Sequence, residues 1–118
     1  MYATGERMKN AMQRLLKMLK INNLQYNANR DPEVYRRAVN KPFRIQAVLA
    51  GSGTARCQLV DAAGKVVADK SLQLPGTFTH ELSYGAPGVH VLRLKVEGGG
   101  QVAEQDLRLD VVEHDWIG

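Results

Sequence analysis

The chain has 118 residues, 44% of them hydrophobic and 24% charged, and a net charge of +4. That size and balance allow one domain with one modest core and exclude global disorder. A single cysteine, Cys57, excludes an intramolecular disulfide framework and any metal site built on several thiolates.

The charge is uneven along the chain. Residues 1–44 carry ten Lys and Arg against Glu6, Asp31 and Glu33, a balance of +7, and the remainder balances at −3. Basic character therefore belongs to an N-terminal arm. The apolar run "AMQRLLKMLKI" is interrupted by Arg14, Lys17 and Lys20, so it makes neither a signal-peptide core nor a membrane span. The expected location is cytoplasmic, or extracytoplasmic if the chain is a piece of a larger exported protein.

Between Gly5 and Ile21, Met8, Ala11, Met12, Leu15, Leu16, Met18 and Leu19 recur at spacings of three and four, with polar residues filling the other arc. This spacing predicts a basic amphipathic helix over 1–21, capped by Thr4 or Gly5 and stopped by Asn22 and Asn23. The asparagine-rich stretch 22–42 reads as an irregular connector. Within it, Leu24 and Tyr26 suit a short strand, and Asp31-Pro32 suits the start of a short helix running to Val39.

From Phe43 the period changes to two. Phe43, Ile45, Ala47 and Leu49 share one face, as do Ala55, Cys57 and Leu59, then Phe78, His80, Leu82 and Tyr84, and finally Leu107, Leu109 and Val111. Turn residues separate the runs at "DAAGK", "LPGT", "GAPG" and "EGGG". The pattern predicts strands at 43–50, 54–60, 65–73, 77–84, 88–96 and 101–112, with a seventh available from the connector. Without long helices after residue 43, a parallel doubly wound sheet is excluded.

The succession "LVDAAGKVV", "PGTFTHELSY" and "PGVHVLRLKVEGGG" resembles the immunoglobulin-like and fibronectin III-like sandwiches, including macroglobulin-type and bacterial surface modules. The resemblance covers Phe43 to Glu113 and implies an all-β, immunoglobulin-like antiparallel sandwich of six to seven strands behind the N-terminal helix, with a tail at 114–118. It implies architecture and no particular function. His90 stands where those families keep a corner aromatic residue, so its ring is expected to pack by one edge and bond nearby backbone through a nitrogen.

Few groups suggest chemistry. His80 and His90, in core phase, can in principle hold Zn²⁺ or Cu²⁺ with His114 or Cys57, but their spacing matches no metal signature, and a structural role is preferred. Cys57 sits mid-strand on the apolar face, so a core thiol is preferred to a nucleophile. Glu104, Asp106 and Asp110 alternate along one strand as a solvated face does. No catalytic residue, cofactor or metal is expected, and Trp116 near the chain end decides nothing.

The arm is the one functional suggestion. Met8, Met12, Leu15 and Leu19, beside Arg7, Lys9, Arg14, Lys17 and Lys20, form the candidate partner-binding face. The preferred reading is a non-catalytic protein-interaction or accessory module in which this segment self-associates, a homodimer included, or docks on the sandwich or a protein partner. The alternative is peripheral binding to anionic membrane or nucleic acid.

Overall fold

The structure, a computed structural model, describes residues 15–27 and 35–114. Every element among them is a strand: β1 (Leu16–Ile21), β2 (Leu24–Gln25), β3 (Arg37–Ala38), β4 (Phe43–Asp61), β5 (Val66–Leu82), β6 (Gly88–Gly98) and β7 (Gln101–Val112). They form one mixed sheet in the order β2-β1-β4-β6-β7-β3, with β5 along the other side of β4. Only β3 runs parallel to its neighbour, pairing Arg37 and Ala38 with Val111 and Val112.

Alternation on β4 explains the shape. Phe43, Ile45, Ala47 and Leu49 are buried, and so are Ala55, Cys57 and Leu59, so the same pleat face turns inward in both halves of the strand, on either side of the exposed stretch 51–54. The first half pairs with β1 and the second half with β6, while β5 follows both halves. The sheet thus curls into two limbs that share the β4–β5 hairpin, and their inner faces meet in a single core. Ile21, Ile45 and Phe78 contribute from one limb, and Leu59, Leu94, Val96, Leu107 and Leu109 from the other.

The bend falls where glycine permits it. Gly51 (φ 116°) and Gly53 (φ 85°) interrupt β4, and the register shifts so that Leu49 faces Gly76 and Gly53 faces Leu74. The expected turn at "LPGT" is therefore a kink within a continuous β5, opposite the kink in β4. Pro75, which follows a cis peptide bond, is tolerated there because β5 is an edge strand and needs no further ladder donor. Gly76 is required: a Cβ on it would lie 2.6 Å from the Gln73 carbonyl oxygen and 2.8 Å from Leu72 Cδ1.

The expected helix over 1–21 does not extend through its last third. Leu16–Ile21 is strand β1, paired antiparallel with β4 from Leu16↔Leu49 to Ile21↔Ile45; residues 1–14 lie outside the described residues. Leu19 and Ile21 are buried on either side of Lys20, which satisfies period two as well as the wider spacing did. Asn22 and Asn23, read as a helix stop, both adopt positive φ (54° and 70°) and form a two-residue hairpin turn into β2.

The connector is likewise part of the sheet. Arg37–Ala38 is β3 where a short helix to Val39 was expected, with residues 28–34 of that stretch outside the described residues. Asn22 Nδ2 donates to the Tyr35 carbonyl at 2.9 Å, and Asn22 Oδ1 accepts from the Arg44 amide at 3.0 Å. Tyr35 is buried, its hydroxyl donating to Gln25 O at 2.9 Å and accepting from the Asn27 amide at 3.0 Å. These bonds spend asparagine and tyrosine on long-range backbone closure, which composition alone does not reveal.

Candidate interaction surfaces

The arm residues within the described region are anchored more firmly than expected. Leu15 and Leu19 are buried in the core at 5% and 6% exposure, so they do not form a free partner-binding face. Lys17 and Met18 are exposed between them on β1, and Lys20 is half-buried. Arg7, Met8, Lys9, Met12 and Arg14 lie outside the described residues. Lys17 and Met18 line a groove of about 270 Å³ that also touches Tyr26 of the β2 segment and Gln105 of β7.

The outer face of the β5–β4–β6–β7 limb is a ladder of opposite charges. Arg56 pairs with Asp69 through two bonds, Nε to Oδ1 at 3.0 Å and Nη2 to Oδ2 at 2.7 Å. Arg93 Nε donates to Asp106 Oδ1 at 2.9 Å, and Arg36 Nε donates to Asp110 Oδ2 at 2.8 Å. The Arg56 guanidinium, then the Gln58 amide, hold the Asp69 carboxyl below its ordinary range. Glu104, Asp106 and Asp110 project from one face of β7, as the alternation predicted, and the register sets Glu104 opposite Lys95 and Asp106 opposite Arg93.

The histidines occupy separate places. His90, half-buried near the start of β6, stacks on Tyr84 with ring centroids 3.9 Å apart. Its Nε2 lies 2.9 Å from the Ala86 carbonyl oxygen, a contact that places the ring hydrogen on that nitrogen. Of the corner role expected of His90, the nitrogen bond to nearby backbone is found, but the ring packs by its face on Tyr84 and not by an edge. His80, on β5, pairs with Ile45 of β4, and no three His, Cys, Asp or Glu among the described residues converge as metal ligands would.

Burial raises the Cys57 thiol and the Tyr84 and Tyr26 phenols above their ordinary values. Cys57 is fully enclosed and its thiol is pushed up to about 11. Burial, then the charge of Asp61, pushes the Tyr84 phenol up to about 12, and its hydroxyl has no hydrogen-bond partner. These shifts favour the neutral, unreactive form. Among the described residues no helix is long and apolar enough to cross a membrane.

Sequence reasoning missed two features, the ion-pair ladder and the stretch of β7 that no described strand pairs with on its outer side. Both depend on which strands are neighbours and in what register, which residue order along one strand does not state. No protein-family model matches the chain, and no curated relative is found for it.

Proposed function

We propose that the chain is a non-catalytic protein-interaction or accessory module, built as an immunoglobulin-like sandwich, whose basic N-terminal segment mediates self-association or docking. The observation that carries this reading is the anchoring of that segment. Leu15 and Leu19 sit in the core while Lys17 and Met18 between them remain exposed, so the described end of the basic stretch is rooted in the sheet.

Three features support the sandwich. Each limb is built around half of the β4–β5 hairpin, β3 runs parallel to β7, and His90 bonds back to Ala86 at the start of its strand. Cys57 and Tyr84 are held neutral inside the protein and lack the access that a nucleophile or acid needs.

The test uses the full chain. Met8→Ser with Met12→Ser, and separately Lys9→Glu with Arg14→Glu, are compared with the parent by sedimentation equilibrium over a concentration series. A concentration-dependent mass that the methionine pair abolishes supports self-association through the arm. Binding to anionic vesicles or duplex DNA that weakens steeply with salt, and that the charge reversals abolish, would replace this reading with the surface-binding one. Because β1 carries core residues, truncations must stop before Leu15.

A further inference from the structure

We propose that the side of β7 from Val102 to Asp106, with which no described strand pairs, is a docking edge for an extended basic segment of a partner protein, which adds to the sheet as a further strand. The proposal rests on the reading of the chain as an interaction module and names a surface and partner chemistry for it.

The direction of the backbone groups comes first. Arg108 sends its amide to the Tyr26 hydroxyl at 3.3 Å, and the Val112 carbonyl accepts from Val39 at 2.8 Å, both away from β6. In an antiparallel strand, alternate residues turn their N–H and C=O to the same side. Val102 and Glu104 therefore offer their backbone groups to that same side, as does the Asp106 amide, while the Asp106 carbonyl accepts from Gln105 Nε2 at 3.0 Å. Among the described residues no strand pairs with them there.

The chain itself shows what this edge accepts. β3 occupies the last two positions of the edge, Val111 and Val112, and the residue just before it, Arg36, pairs with Asp110 at 2.8 Å. The open stretch repeats the chemistry: Glu104 and Asp106 are spaced by two on the outer face, while Ala103 and Leu107 turn inward. Arg93 holds Asp106, but Glu104 makes no ion pair among the described residues. An incoming strand with Arg or Lys at every second position and small or apolar residues between them matches both rows.

The same charges reject a second copy. Two β7 edges related by a two-fold axis would set Glu104 and Asp106 against their own kind, an arrangement that discourages pairing between identical edges. The occupant is thus a basic partner segment and not this chain's own β7.

The experiment titrates a blocked peptide, Thr-Arg-Val-Arg-Val-Arg-Thr, into the full-length protein labelled with ¹⁵N. The expected result is a set of amide shifts centred on Val102, Glu104 and Asp106, with affinity falling at least tenfold for Glu104→Lys and for a peptide N-methylated at alternate amides. Shifts centred elsewhere, equal binding of the N-methylated peptide, equal binding of a Thr-Glu-Val-Glu-Val-Glu-Thr peptide, or dimerisation through β7 would each overturn the proposal. If Glu104→Lys fails to fold, the two control peptides decide. Loss of self-association in the Met8 and Met12 variants leaves this result untouched, so the arm and the edge succeed or fail separately.

Discussion

The imidazole of His90 lies nearly parallel to the phenol ring of Tyr84, with 12° between their planes, while its Nε2 bonds the Ala86 carbonyl. Phe43 also meets Tyr84, edge-on at 6.2 Å, so three aromatic groups tie the start of β4 to the start of β6. His90→Phe preserves a ring at this corner but loses the bond to Ala86. It is expected to destabilise the fold by about 1 kcal/mol, and His90→Ala by more, since the stacking goes too. Urea unfolding midpoints at constant slope give the comparison.

Gly76 faces Leu49 across the kinked hairpin, with no room for a side chain. Gly76→Ala should cost about 1–3 kcal/mol, the range for forcing extra atoms into a packed site. Gly64→Ala, where nothing lies within 4 Å but φ is +86°, tests backbone strain alone and should cost about 1 kcal/mol. Thermal unfolding of the two variants orders them, and an equal or smaller loss at Gly76 would contradict the crowding.

Leu19 faces Ala47 inside the sheet, whereas Lys17 points to water. Leu19→Ala is expected to lose about 2–4 kcal/mol of stability, as buried leucine truncations do. Lys17→Ala should change stability by less than about 0.5 kcal/mol. Hydrogen exchange provides a second check: the amides from Leu19 to Ile21 should be protected with those of β4, following global unfolding.

Cys57 sets an alkaline limit. Its thiol moves from 9.0 to about 11 on burial, so between these values the unfolded chain has released a proton that the folded chain keeps. Stability is therefore full below about pH 9 and falls as pH rises towards 11, by up to about 2 kcal/mol. In Cys57→Ala this part of the slope should vanish. The thiol should also react with a disulfide reagent at pH 8 no faster than the protein opens.

Asp69 acts at the other end of the scale. Its carboxyl, held below the ordinary range by Arg56 and then Gln58, contributes stability above its unfolded pKa that is lost as pH falls through the lower folded value. In Arg56→Gln the Asp69 titration, followed by carbon NMR of the carboxyl, should move upward. An unchanged midpoint would mean that the two-bond pair does not persist in solution.

Period two from Phe43 onward was legible because one face of each strand is buried, and burial writes itself into residue order. The turns at "DAAGK" and "EGGG" were legible too, with Gly64, Gly99 and Gly100 all at positive φ. Pro75-Gly76 was misread since the same pair serves a reversal or a kink, and only the glycines across the ladder distinguish them. Leu16 to Ile21 was misread since Leu19 and Ile21, buried on either side of Lys20, satisfy alternation as well as the wider spacing. The charge ladder lay beyond reach: Arg93 and Asp106 are thirteen residues apart and meet through the β6–β7 register.

One turn begins the shared hairpin. Asp61 Oδ1 accepts the amides of Ala63 and Lys65, both at 2.9 Å, and closes the loop from which β4 and β5 run together into both limbs. Closing a short loop costs little chain entropy, and each rung then lies only two residues further from the start than the last. The ribbon can zip from this point through both limbs before any distant segment arrives, leaving β1, β6 and β7 to condense on a template already in register. Folding speed should then be governed by this one reversal, so lengthening it would slow assembly far more than lengthening the loop between β5 and β6.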